Sequence, residues 1–266
     1  MPPHYPERIV CLTEETTETL YLLGEERRIV GISGYTVRPA RARKEKPRVS
    51  AFLSAKNEKI LELKPDLVLG FSDLQADILR DLAKAGLNVM IFNQRSVDEI
   101  LSMILTLSSI VGASGKGEAL VSQLQENLQS IKEKAKAFRT RPKVYFEEWD
   151  EPMIGGIRWV SELVGIAGGE DVLSDLSSSQ GAAGRIHDGK RVIEAGPDVI
   201  LGSWCGKKFR PEKVAARPGW ERIPAVRNNR LYEIKSAEIL QPGPAALTDG
   251  VQAMQKVLSQ WQQIRA

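Results

Sequence analysis

Ile60-Leu61-Glu62-Leu63-Lys64-Pro65-Asp66-Leu67-Val68-Leu69-Gly70 aligns without a gap on Val192-Ile193-Glu194-Ala195-Gly196-Pro197-Asp198-Val199-Ile200-Leu201-Gly202. Each copy reads as the end of a helix, a Pro-Asp turn, a continuous apolar strand and a glycine. Proline cannot continue the helix, and the turn redirects the chain. Glycine at the strand's carboxyl end lets a loop turn away towards a ligand. Two copies of one unit within 266 residues predict a duplicated α/β architecture.

The pattern extends outward from both copies. Before the first copy lie a strand at Arg8–Leu12, a helix entered through Thr13–Thr17 and ended by Gly24, and a strand at Arg28–Ile32. Glu14, Glu15 and Glu18 suit the positive end of that helix. After it come a helix over Gln75–Ala85, a strand at Val89–Phe92 and a helix over Val97–Val111. Strands that are nearly continuous apolar runs, alternating with helices, predict parallel sheets covered on both faces. Around the second copy, Lys143–Phe146 and Arg230–Ile234 read as strands, and Val160–Ala167, Arg191–Glu194 and Ala245–Trp261 as helices.

Between the halves, Lys116–Phe138 carries Leu120, Leu124, Leu128 and Ile131 on one face and has no proline. At ~1.5 Å per residue such a helix covers more than ~30 Å. It reads as a rigid connector, giving an amino-terminal lobe at 1–114, a connecting helix at 115–140 and a carboxyl-terminal lobe at 141–266.

Hydrophobic residues make up 42% and charged residues 27% of the chain, the profile of a globular protein. Its longest apolar runs are far shorter than the roughly 20 residues that cross a bilayer, so no membrane insertion is expected. The opening Met1-Pro2-Pro3-His4-Tyr5-Pro6 lacks the features of a secretory leader. As the chain stands this reads as cytoplasmic, or as periplasmic or cell-surface if a leader has been removed. A net charge of +3 does not imply nucleic acid, and the basic stretch Arg38–Arg48 lacks interleaved aromatics and a reading helix. That stretch reads either as a solvated loop or as a rim facing an anion.

Taken together, Arg8-Ile9-Val10 with Thr17-Glu18, Ile29–Ile32, the two Pro-Asp blocks and Trp220-Glu221-Arg222-Ile223-Pro224-Ala225-Val226 resemble the class III substrate-binding proteins, the helical-backbone metal receptors. The resemblance covers nearly the whole chain and is nearest to the vitamin B12 binders. It implies two Rossmann-like lobes with parallel sheets, joined by one long backbone helix, with ligand held in the interlobe cleft. The implied ligand is a corrinoid such as cobalamin, with haem or a ferric siderophore as alternatives. Corrin-facing aromatics would fall near Tyr35 and at Phe52, and Glu147–Pro152 takes the place of a further aromatic segment. The family's first-helix entrance reads Ser-Pro where this chain has Thr13-Glu14. Members that dock on an ABC importer permease present one acidic residue per lobe. Glu58 matches the first, whereas the second position falls at or near Lys190.

Independently of family, ligands of doubly wound sheets meet the loops beyond the strands' carboxyl ends. That rule selects Thr13–Thr16, Ser33–Tyr35, Phe71–Asp73, Glu147–Trp149 and Ser203–Lys208. Aromatic walls suit a flat macrocycle. Burying roughly 400 Å² of apolar surface yields about 10 kcal/mol gross, of which association consumes at least ~4 kcal/mol. Charged anchors such as Arg38, Arg185, Lys207 and Lys208 would supply the rest. Trp149, Trp204, Tyr35 and Phe52 read either as cleft walls or as packing, and Trp159, Trp220 and Trp261 as packing. The acidic run Glu147, Glu148, Asp150 and Glu151 reads as a cation contact, as partners of Lys207 and Lys208 across a closed cleft, or as a solvated loop.

No catalytic motif emerges. Gly112-Ala113-Ser114-Gly115-Lys116 has the wrong spacing for a phosphate loop, and dinucleotide, nucleophile-elbow and paired-cysteine zinc motifs are absent. With only His4 and His187, no resident metal site is expected. The enzymatic rival rests on Cys205 beside Lys207 and Lys208, as a nucleophile or cobalt ligand, against a buried inert thiol. A disulfide between Cys11 and Cys205 is not expected.

Overall fold

The computed structural model describes residues 4–265. Met1-Pro2-Pro3, part of the stretch from which a missing leader was read, lies outside them. The chain divides into two compact units, one running up to Gln94 with Asp98–Gln123 and the other comprising Arg95–Val97 with Leu124 onward.

The first unit is built on a six-stranded sheet of β1 (Ile9–Cys11), β2 (Ile29–Ser33), β3 (Arg48–Ala51), β4 (Ser54–Ala55), β5 (Leu67–Phe71) and β6 (Val89–Phe92). The order is β4-β3-β2-β1-β5-β6. All pairings are parallel except β3 with β4. The chain winds outward from β1 to β3 on one side, then crosses to β5 and β6 on the other, so the topological switch falls between β1 and β5. Both are buried at every residue, as continuous apolar runs require.

The second unit has β7 (Lys143–Asp150), β8 (Met153–Gly155), β9 (Glu170–Asp171), β10 (Val199–Gly202) and β11 (Leu231–Glu233). The order is β11-β10-β7-β8, with β9 on β7. β10 runs parallel to both β7 and β11, and β8 pairs with β7 antiparallel. A core of Tyr145, Val192, Ile200, Trp204, Phe209, Val214, Trp220 and Ile223 packs around β10. Trp159, Trp220 and Trp261 are buried, as expected of packing residues.

The helix Ser114–Lys136 has 23 residues and belongs to both units, the division falling between Gln123 and Leu124. Leu124, Leu128 and Ile131 are buried on the expected face together with Val121, while Leu120 is only half-buried.

Equivalent atoms explain the repeat. Asp66 accepts the Glu7 and Arg8 N–H groups at 2.7 and 3.0 Å, and its own N–H donates to Arg8 O. Asp198 accepts the Lys143 N–H at 3.1 Å and donates its N–H to Lys143 O. Each aspartate thereby clamps the start of the neighbouring strand, β1 or β7. The preceding helices, Asn57–Glu62 and Lys190–Ala195, end through a left-handed residue at the same register, Lys64 at φ 46° and Gly196 at φ 59°. Their last carbonyls are capped by Arg8 on Leu63 O at 2.6 Å and by Lys143 Nζ on Ala195 O at 3.3 Å.

Gly70, the penultimate residue of β5, and Gly202, the last of β10, serve packing, a correction to the loop-turning role expected of them. Neither has a positive φ. A Cβ on Gly70 would come within 2.6 Å of Leu79, and one on Gly202 within 1.9 Å of the Phe209 ring.

Four strands escape the apolar-run criterion. Arg48–Ala51 and Ser54–Ala55 form an edge hairpin whose strand residues include a single large apolar one, Val49. The basic stretch before it is exposed at Arg41, Arg43, Lys44 and Arg48 but is not wholly a loop. Ala42–Glu45 is helical, Arg38 binds Glu18 Oε1 at 2.9 Å, and Arg41 binds Glu26 at 3.0 Å and lies over the Tyr21 ring. Expected to end at Phe146, β7 continues through the acidic run to Asp150, where β8 folds back on it. The short β9 is held by two residues on β7.

Candidate functional site

The carboxyl ends of the strands, where doubly wound sheets meet ligands, differ in chemistry between the two units. In the first unit Tyr35 follows β2 and is 55% exposed, Leu53 follows β3 at 68%, and Leu74 follows β5 at 55%. Phe52 beside them is half-buried. Three large apolar groups are thus exposed at the carboxyl ends of strands of this sheet.

Gln75 ties this edge together from beneath. Fully buried, it donates to Phe52 O at 2.9 Å and Leu12 O at 3.3 Å, and accepts the Phe71 N–H at 3.0 Å. One side chain thus joins the ends of β1, β3 and β5. Sequence reasoning passed over it because glutamine carries no pattern signal.

The loop after β1 is closed rather than open. Thr13, Glu14, Glu15 and Thr16 are buried at the start of the helix Glu14–Leu22. Thr13 makes no side-chain cap and donates instead to Glu15 Oε1 at 2.6 Å. Burial, only partly offset by that bond, pushes the Glu15 carboxyl up to about 8. Burial raises Glu14 as well. Arg38, expected as a ligand anchor, is engaged by Glu18.

In the second unit the end of β7 carries three ion pairs. Glu147, fully buried, binds Arg217 through both oxygens at 2.5 and 2.9 Å, and accepts from Tyr145 Oη at 2.8 Å and Trp204 Nε1 at 3.0 Å. His187 joins through Tyr145 Oη at 2.9 Å. Burial, helped by the Arg217 charge, lowers its pKa to about 4, so the ring is neutral. Burial opposes the Arg217 charge, and the bond and charge of Glu147 more than offset it.

Glu148 and Asp150 are matched inside the same unit, and Glu151 is exposed. Glu148 forms a fork with Arg185, which is 2% exposed and also donates to Gly155 O at 2.6 Å. Asp150 pairs with Lys207. The Lys207 ammonium lies 4.0 Å from the Trp149 ring centroid and 5.0 Å from that of Trp204. Arg185 and Glu148, expected to face a ligand, are spent on each other. A buried guanidinium demands such pairing.

Trp204, read either as a cleft wall or as packing, is 3% exposed and packs edge-on against Phe209 with centroids 5.0 Å apart, and it also lines a pocket. Trp149 is half-buried, its Nε1 donating to Glu151 O at 2.8 Å. Cys205 is exposed, Cys11 is buried, and they do not form a disulfide. Beside Cys205 opens a pocket of about 380 Å³ at the ends of β10 and β11, lined by Trp204, Lys207, Lys208, Glu233, Lys235 and Ser236 among others. Sequence reasoning missed Glu147 as a buried hub, Arg217, and the Lys235 side of this pocket. A run of four acids within five residues was the available signal that some had to be paired.

Exposed Glu58 lies in the first turn of Asn57–Glu62, and exposed Lys190 at the repeat-equivalent position of Lys190–Ala195. Asp188 stands 3.9 Å from Lys190. No helix among the described residues is long and apolar enough to cross a membrane.

Two wound α/β units with such strand-end surfaces define a solute-binding protein of the ABC-importer type. The pattern of the family described as periplasmic binding protein matches residues 9–238, and the chain belongs to that family. Its members are solute-binding proteins. The chain is 27% identical over 258 residues to the uncharacterized ABC transporter substrate-binding lipoprotein YvrC of Bacillus subtilis, covering 94% of this chain and 79% of that one. It is 27% identical over 247 residues to a vitamin B12-binding protein of Vibrio parahaemolyticus, covering 91% and 86%. The solved periplasmic heme-binding protein RhuT of Roseiflexus superposes with a TM-score of 0.79 at 25% identity, covering 95% and 99%.

Proposed function

We propose that the chain captures a corrinoid, a cobalamin-like macrocycle, at the carboxyl ends of its strands and delivers it to an ABC importer permease. The observation that carries this reading is the exposed apolar edge of Tyr35, Leu53 and Leu74 with Phe52, which suits the face of a large flat ring. Its likeness to vitamin B12-binding proteins over most of the chain supports the same ligand. Delivery uses Glu58 on the first unit. On the second, Asp188 beside Lys190 supplies the acid that position 190 lacks. Work outside the cytoplasm accords with the family and with the lipoprotein relative.

Haem is the second reading, favoured by the lysines at the ends of β10 and β11 and by the heme-binding structural relative. Titration of the purified protein with cyanocobalamin and with hemin, followed by absorption and tryptophan fluorescence, separates the two. Micromolar or tighter binding of cyanocobalamin that weakens at least tenfold in Tyr35→Ala/Leu74→Ser is the expected result. Saturable binding of hemin alone transfers the assignment to haem, and binding of neither overturns both.

A further inference from the structure

The pocket at the ends of β10 and β11 has a chemistry of its own. Three of its lining residues are lysines, Lys207, Lys208 and Lys235, against the single carboxylate Glu233. Two of the ammonium groups are held. Lys207 is fixed by Asp150 and by the rings of Trp149 and Trp204, and Lys235 by Glu233 Oε2 at 2.7 Å. Lys208 is exposed and makes no ion pair among the described residues, though its charge acts on Glu212 and Glu233. Holding two cations in place removes much of the side-chain entropy that ligand binding would otherwise cost. The third is left to meet an incoming charge.

At about 380 Å³ the pocket lies at the small end of ligand sites and suits an arm of a macrocycle, not the ring.

We propose that this pocket is an anion subsite which selects ligands bearing a phosphate or carboxylate arm, with Lys208 as the principal contact and Lys235 as the second. The inference rests on the proposed macrocycle only for what carries the arm. A phosphate or carboxylate placed there gains charge-assisted hydrogen bonds from ammonium groups whose counter-ions are already positioned.

The test compares wild type with Lys208→Ala/Lys235→Ala, both exposed positions whose thermal midpoints verify folding. Inorganic pyrophosphate, which needs no macrocycle, is titrated first, read by the fluorescence of Trp149. Saturable, salt-sensitive binding that the double variant weakens at least tenfold is expected, and the absence of saturable binding to wild type overturns the subsite. Cyanocobalamin, which has a phosphodiester arm, is then compared with dicyanocobinamide, which has the ring but not the arm. Wild type is expected to prefer the former at least tenfold, and the double variant to lose that preference with cobinamide affinity unchanged. Equal weakening of both corrinoids, or of neither, also overturns the subsite. If pyrophosphate binds and neither corrinoid does, the macrocycle reading fails while the subsite stands.

Discussion

The two units share a scaffold and differ at the edge it presents. Asp66 and Asp198 clamp β1 and β7 alike, Lys64 and Gly196 turn the chain through the same left-handed geometry, and Gly70 and Gly202 each admit a packed side chain. Beyond those shared parts the first unit displays Tyr35, Leu53 and Leu74, held from below by Gln75, whereas the second displays lysines over a buried ion-pair hub. The lesson is that this fold separates framework from recognition. Pro-Asp turns decide where strands start, and the residues beyond their carboxyl ends are left to diverge.

Breaking the hub is expected to give the largest effect. Glu147→Leu strands Arg217, Tyr145 Oη and Trp204 Nε1 in a buried setting, costing roughly 3–5 kcal/mol in thermal or denaturant unfolding. Double substitution with Arg217→Met should recover much of that loss, since removing both partners relieves the unpaired charge.

The units should also respond oppositely to pH. Glu15 has a folded pKa of about 8, against ~4.3 when unfolded. Its folded form holds the extra proton between those values, so its stabilising contribution is complete at low pH and lost as pH rises through that window. By the linkage relation the effect is of order 5 kcal/mol. Glu15→Gln should flatten the alkaline limb of a melting-temperature profile. His187 falls to about 4 when folded, against ~6.5 unfolded. There the unfolded chain binds the extra proton, and stability is lost as pH drops from ~6.5 through about 4 by roughly 3 kcal/mol. His187→Gln should flatten the acid limb only. A profile in which either variant alters the other limb breaks the contrast.

Smaller effects sharpen the equivalence of the repeats. Gly202→Ala drives a Cβ into the Phe209 ring and should cost about 2–3 kcal/mol, more than Gly70→Ala, whose clash is with the flexible end of Leu79. At the helix ends, Gly196→Ala should destabilise by about 1 kcal/mol and Lys64→Gly should stabilise by up to about 1 kcal/mol, because both positions require positive φ. Opposite signs at equivalent positions, measured by urea unfolding, are the expected outcome.

Much of the framework was legible beforehand because burial of both sheet faces forces continuous apolar runs. Strands at Leu67–Phe71 and Val199–Gly202 announce themselves in that way, and the helix from Ser114 by the spacing of its leucines. The hairpin Arg48–Ala55 does not, since an edge strand needs few apolar residues, and the acidic end of β7 was hidden by charges whose partners lie 37 to 70 residues away. For the same reason the pairing of Arg185 with Glu148 was not legible. Residue type marks a side chain as suited to a ligand, while only its neighbours decide whether the ligand or the protein takes it.

By itself the sequence determined the duplicated α/β frame, the long helix and the strand ends to inspect, because periodicity and turn chemistry are local and written in consecutive residues. Tertiary structure alone decided which charges are consumed internally and which remain for binding. Long-range pairing made Glu147 a hub, turned Trp204 inward and left Lys208 at the mouth of a pocket. Desolvation sets that choice, since a buried charge must be matched by whichever partner folding brings within reach.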